Sequence, residues 1–98
     1  MTNPTIRKAI EVYGIDKQMM KCIEEMSELT KAICKFWQAK TEEDTKKKIR
    51  DMQEETADCF IMLEQMKLMV GAKDVNEFIQ KKLERLENRL EQEKEDDK

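Results

Sequence analysis

The chain has 98 residues, 42% of them charged, with 19 Lys and Arg against 22 Asp and Glu, 2 Gly, 1 Pro, 3 Cys and no His. Without His there is no Ser-His-Asp triad, no Cys-His pair and no His-ligated zinc site. With 5% aromatics and three Gly or Pro in all, there is no stock of turns and strands for a small β-sandwich or barrel.

Glu, Lys, Met, Leu, Gln and Ala dominate and favour helices, so an all-α protein is expected. The first helix is predicted over Thr5 to Tyr13, with Pro4 near its start and Gly14 at its end. The second is predicted over Asp16 to Gln38. Met19, Ile23, Met26, Ile33 and Trp37 form one apolar stripe along it, and Cys22, Leu29, Ala32 and Phe36 form an adjacent one. Ala39 to Thr45 has no apolar side chain larger than Ala, and Thr41 is placed to cap a new helix with Glu42, Glu43 and Asp44 at its positive end.

The third helix is predicted over Glu42 to Val70, lined by Ile49, Met52, Cys59, Phe60, Met62, Leu63, Met66 and Met69 and closed by Gly71. Asp74 is expected to cap a fourth helix carrying Val75, Phe78, Ile79, Leu83, Leu86 and Leu90. Residues 1 to 90, the expected helical domain, hold 17 basic and 17 acidic side chains. Residues 91 to 98 hold 2 basic and 5 acidic, so the net charge of −3 comes from this tail, which is expected to be frayed and solvated.

Nothing in this distribution resembles the one-sided basic surface of a nucleic-acid binder, and no run reaches the ~18 to 20 apolar residues of a membrane span. Met1-Thr2-Asn3-Pro4 lacks the features of a signal peptide. Cys22, Cys34 and Cys59 are odd in number and form no CxxC pair, which fits a reducing cytoplasm. Two long helices with more than one apolar stripe, in a chain with room for only a modest core, call for a second partner surface. A homodimer or a higher homo-oligomer such as a homotetramer is therefore expected.

The chemistry is carried by carboxylates in apolar rows. Glu25 falls in the row Cys22, Glu25, Leu29, Ala32, Phe36, and Glu55 in the row Met52, Glu55, Cys59, Met62, Met66. A carboxylate there is costly unless something pairs with it. Glu25 with Glu28, and Glu55 with Asp58, are spaced i, i+3 and so share a helix face. The positions of Glu25 and Asp58 sum to 83, as do those of Glu28 and Glu55, so an antiparallel hairpin turning between Thr41 and Glu42 sets all four at one level. That level is ~20 Å from the turn at 1.5 Å per residue. Four converging carboxylates repel and take up protons unless a hard divalent cation joins them. Mg²⁺ is the expected ion, with Mn²⁺ as a substitute, and Mg²⁺ held this way usually serves phosphate-bearing substrates.

Glu24-Glu25-Met26-Ser27-Glu28 on one helix, followed about 26 residues later by Glu54-Glu55-Thr56-Ala57-Asp58, resembles the EExxE and EExxD pair of the MazG-type all-α nucleoside triphosphate pyrophosphohydrolases. The resemblance covers about residues 5 to 90 and includes the four-helix layout with two long antiparallel central helices. It implies a Mg²⁺-dependent enzyme that cleaves NTPs or dNTPs to the monophosphate and pyrophosphate, with Glu25, Glu28, Glu55 and Asp58 as metal ligands. It also implies basic residues on the last helix that hold phosphates, for which Lys82, Arg85 and Arg89 are the candidates. Lys31 and Trp37 are further candidates, for phosphate and base respectively, weighed against solvated surface and core or dimer packing.

Without His, the proton acceptor is a carboxylate, a Lys or a metal hydroxide; Glu24 and Glu28 are the expected bases. Two other classes stand beside this reading: a non-catalytic helical dimerisation or interaction module, and a nucleotide-binding sensor.

Overall fold

The computed structural model describes residues 3–96, and these form four helices: α1 (Pro4–Tyr13), α2 (Ile15–Trp37), α3 (Glu42–Val70) and α4 (Ala72–Asp96). No strand occurs among the described residues. Each helix starts where local chemistry directs it. Asn3 caps α1, its Oδ1 accepting from the Thr5 amide at 2.8 Å, with Pro4 at the first helical position. Thr41 caps α3, its hydroxyl accepting from the Asp44 amide at 3.0 Å, and Glu42, Glu43 and Asp44 lie against the positive end.

Gly14 and Gly71, at φ 91° and 117°, are the single residues between α1 and α2 and between α3 and α4. A side chain is strained at such angles, so each glycine permits a sharp break without a loop.

Two expectations for α4 are corrected. The helix restarts directly after Gly71, so Asp74 lies inside its first turn and is not its cap. Its carboxylate still faces the helix's positive end. The helix also continues through residues 91 to 96 of the expected frayed tail, because Glu, Gln and Lys are good helix formers; Gln92 donates to Asp96 at 3.4 Å, four residues on. Residues 97–98 of that tail lie outside the described residues.

α2 and α3 form the central antiparallel hairpin. Gln18 Nε2 donates to Gln65 Oε1 at 2.7 Å, and the Cys59 thiol donates to the Glu25 carbonyl at 3.2 Å. These pairs sum to 83 and 84, which is the register expected from the carboxylate spacing. The packed face of α2 is the stripe through Cys22 and Ala32, and that of α3 runs through Cys59 and Met62. α1 packs across both helices, whereas α4 contacts only α3.

The buried core is small for this length: Cys22, Ala32, Cys59 and Met62, with the Gln18–Gln65 pair. The radius of gyration is 17.6 Å, against about 13 Å for a compact domain of this size. The second stripe of α2 stays in the open, with Ile23, Met26, Ile33 and Trp37 exposed, as are Phe60 and Leu63 of α3 and Phe78, Leu83 and Leu90 of α4. No described helix is long and apolar enough to cross a membrane.

Candidate metal centre

Helical geometry divides the hairpin into two long faces. At about 100° per residue, Glu24, Glu28, Lys31 and Lys35 project to one side of the packed row of α2, and Ile23, Met26, Ile33 and Trp37 to the other. On α3, Asp51, Glu54 and Asp58 project to one side and Ile49 and Phe60 to the other. The antiparallel arrangement joins the charged sides. A shallow cleft of about 130 Å³ is lined from α2 by Glu28, Lys31 and Lys35 and from α3 by Asp51, Glu54 and Glu55, with Ala32 at its base.

Three of the four expected ligands converge at this level. One oxygen each from Glu25, Glu55 and Asp58 lies within 4.8 Å of the others. Glu25 and Glu55 are half-buried and Asp58 is exposed, so the cluster is anchored in the helix interface and open to solvent on one side. Glu28 stands at the rim, outside this triplet but lining the cleft beside Glu55.

The electrostatics follow from this crowding. Loss of solvation pushes the Glu55 carboxyl above its ordinary value, and the charges of Asp58, Glu25, Glu28 and Glu54 push it further. Glu25 is compensated by Lys21, whose Nζ lies 3.3 Å from Glu25 Oε1 and 3.6 Å from Glu24 Oε2. The bond to Glu25, with the nearby carboxylate charges, raises the Lys21 ammonium in turn. Burial pushes the Cys59 thiol up, and the Glu25 charge adds to it. Cys59 is therefore a hydrogen-bond donor within the core and not a nucleophile.

The donor set suits a hard cation. Carboxylate oxygens from both helices, without sulfur or imidazole, are the donors that a hard cation takes, and the exposed side of Asp58 leaves the cluster open to solvent.

The other expected residues fall in different places. Lys31 lines the cleft, as does Lys35. Glu24 is turned toward Lys21 and is largely exposed. Trp37 is 78% exposed and packs edge-on against Phe36 at 5.2 Å between ring centroids. It lies twelve residues beyond Glu25, ~18 Å along the helix and on the apolar side of α2. A single chain therefore does not bring Trp37 to the cluster, and it is not a core residue either. Lys82, Arg85 and Arg89 are exposed on α4, which touches only α3, and no ion pair among the described residues joins them to the acidic cluster.

Lys21 is the residue beside the cluster that sequence reasoning missed, and the buried Gln18–Gln65 pair, outside the cluster, is a core feature that it missed. Lys21 carried a signal, since it precedes Glu25 by four residues on the same face. Gln18 is one turn before Cys22 in the row that holds Glu25, and Gln65 is its mirror position about the hairpin turn.

No family model matches the chain, and neither a curated protein nor a solved structure was found to match it.

Proposed function

We propose that the protein is a Mg²⁺-dependent nucleoside triphosphate pyrophosphohydrolase of the MazG-like type, cleaving an NTP or dNTP to the monophosphate and pyrophosphate. The observation that carries this reading is the convergence of Glu25, Glu55 and Asp58 from two antiparallel helices onto one point, in the register of the EExxE and EExxD motifs. Acidic clusters on helix surfaces are commonplace, but here two members are half-buried and one is pushed toward protonation. An added cation relieves that cost.

Glu25, Glu55 and Asp58 would hold the ion, with Glu28 alongside. A divalent cation so held supplies charge neutralisation on the triphosphate and a more acidic water. The chain's own residues do the rest. Lys31 and Lys35 line the cleft and offer positive charge to the phosphate oxygens. Glu28, at the cleft rim, takes the proton of the water that attacks at the α–β linkage, and the phosphoanhydride bond breaks to release pyrophosphate. Glu28 is preferred over Glu24 as base because Glu24 is engaged by Lys21. Lys82, Arg85 and Arg89 bear on phosphates only where assembly of a homodimer or homotetramer brings α4 over a cleft. Such assembly is supported by the exposed apolar side of the hairpin.

The test is pyrophosphate release from a panel of NTPs and dNTPs, with and without Mg²⁺. Glu25→Gln and Asp58→Asn, each shown to be folded by circular dichroism, should lose at least ~100-fold in turnover, the scale of removing one main electrostatic contact of a transition state. Retention of Mg²⁺-dependent release in both variants would sink the proposal.

The exposed apolar side of the hairpin and of α4 favours a second reading, a helical interaction module without chemistry. That protein neither binds nor turns over Mg²⁺-nucleotide. A nucleotide sensor binds without turnover, so a binding titration on inactive wild-type protein separates the two.

A further inference from the structure

The exposed apolar side of the hairpin has an internal symmetry. On α2 its residues are arranged about position 28: Ile23 and Ile33 stand five residues to either side of it, and Met19 and Trp37 nine. Ile23, Ile33 and Trp37 are exposed and Met19 is half-buried. On α3 the centre is position 55. Phe60 follows it by five residues and Ile49 precedes it by six, while Lys46 and Glu64 flank it at nine. Positions 28 and 55 lie at one level of the hairpin, because the Gln18–Gln65 bond sets a register in which facing positions sum to 83. Both helices therefore mirror their side chains about the same level. A face of this kind matches a second copy of itself turned end for end, with every contact made twice.

Charge sets the direction. The tip of the hairpin, residues 31 to 50, carries 7 basic and 3 acidic side chains, whereas residues 15 to 30 and 51 to 70 carry 3 basic and 9 acidic. The tip is thus at +4 and the remainder at −6. Two copies side by side in the same direction would set tip against tip. Turned end for end, each tip lies beside the acidic far end of the other. Lys46 and Glu64 mark the two ends of α3 on the apolar side. Each makes a long contact within its own helix, 3.9 Å to Glu42 and 3.8 Å to Lys67.

We propose that this side of the hairpin binds a second copy of the chain in antiparallel register, α2 on α2 and α3 on α3, with the two-fold axis at the level of residues 28 and 55. Ile23 packs on the partner's Ile33, Met19 on the partner's Trp37, and Lys46 faces the partner's Glu64. The carboxylate clusters then face outward on opposite sides of the dimer, each built from one chain. The inference is independent of the metal reading, since it uses only the opposite side of the hairpin.

Sedimentation equilibrium on the full chain tests it. The wild type should form a dimer that weakens as NaCl is raised from about 50 to 500 mM, because the attraction between tip and far end is screened. Lys46→Glu and Glu64→Lys, checked for folding by circular dichroism, should each weaken the dimer about tenfold, as two exposed attractive pairs become repulsive. The double variant K46E/E64K should return to wild-type affinity. The two residues are 18 positions apart on α3, ~27 Å, so no contact within one chain can produce that rescue. In a Cys34→Ser background, Ile23→Cys and Ile33→Cys proteins should cross-link to each other through a short bismaleimide, and each to itself far less.

A monomer at about 1 mM, an affinity that rises with salt, a double variant as weak as the single ones, or cysteine proteins that cross-link only to themselves would each overturn the proposal. A side covered by α4, or kept for a different protein, would give the first or the third of these results.

Discussion

Glu55 is the residue at which the proposed metal site would set a cost in stability. Its carboxyl is held above the ordinary value by lost solvation and then by the charges of Asp58, Glu25, Glu28 and Glu54. A raised carboxyl means that the folded chain binds more protons than the unfolded chain above the ordinary Glu value. Stability of the metal-free protein therefore falls as pH rises from about 4.5 through the raised folded value, and levels off beyond it. Glu55→Gln should flatten this decline and raise the Tm of the metal-free protein at pH 7. It should also abolish the Mg²⁺-induced rise in Tm that the metal reading requires. Thermal melts of both proteins in EDTA at several pH values, and again with Mg²⁺, measure all three effects. Parallel pH profiles would show that the crowding at Glu55 carries no energetic weight.

Lys21 sets a second residue-scale expectation. It compensates Glu25 at 3.3 Å while remaining half exposed, and exposed pairs contribute little to stability. Lys21→Met should therefore leave the Tm nearly unchanged while raising affinity for a divalent cation, because a competing positive charge is gone. Isothermal titration with Mg²⁺ or Mn²⁺ reads this directly, and weaker cation binding would contradict it.

At the scale of elements, the hairpin is held in register by its caps and its packed row. Thr41 starts α3 with a 3.0 Å bond from its hydroxyl to the Asp44 amide. Thr41→Ala should cost about 1 kcal/mol, seen as a Tm lowered by about 4–8 °C in a chain of this size, with turnover at low temperature unchanged. Much of this level was legible in the sequence. α3 begins at Glu42 and ends at Val70 as expected, because Thr41 and Gly71 are strong local signals. The level of the carboxylates was legible too, because an antiparallel pair with a short turn has one register and arithmetic finds it. The start of α4 was not: Asp74 was a plausible cap, but a positive φ at Gly71 lets the chain restart a helix at once. Nor was the helical state of residues 91 to 96. A charge-rich end reads as solvated tail, yet its residues are helix formers attached to a helix already nucleated.

Among the described residues, 18 large hydrophobic side chains are exposed, whereas the buried hydrophobic residues are Cys22, Ala32, Cys59 and Met62. Ile23, Met26, Ile33 and Trp37 of α2 and Ile49, Phe60 and Leu63 of α3 lie on the side of the hairpin away from the carboxylates. The stripe of α4 from Phe78 to Leu90 is also open. A 98-residue chain with so small a core is marginal alone, so stability should depend on protein concentration. Light scattering should show a dimer or tetramer, and Phe60→Glu should dissociate or destabilise it, with the Tm of the wild type rising as concentration is raised. A wild-type monomer with a concentration-independent Tm would remove the case for assembly.

Sequence alone determined the helical class, the two glycine breaks, the cap at Thr41 and the common level of the two carboxylate pairs along the hairpin, because these follow from local propensity and the 3.6-residue period. Tertiary structure decided which of two apolar stripes on α2 is packed, since both have the same period and only the fit against α3 and α1 separates them. It also decided that Glu28 stands at the rim while Glu25, Glu55 and Asp58 converge, and that Lys21 lies among the carboxylates. It likewise decided that α4, which carries Lys82, Arg85 and Arg89, touches only α3, whereas the distance of Trp37 from Glu25 already follows from their spacing on one helix. Spacing specifies the height of a residue on its helix, but the azimuth and tilt of each helix against its neighbours determine what that residue can reach.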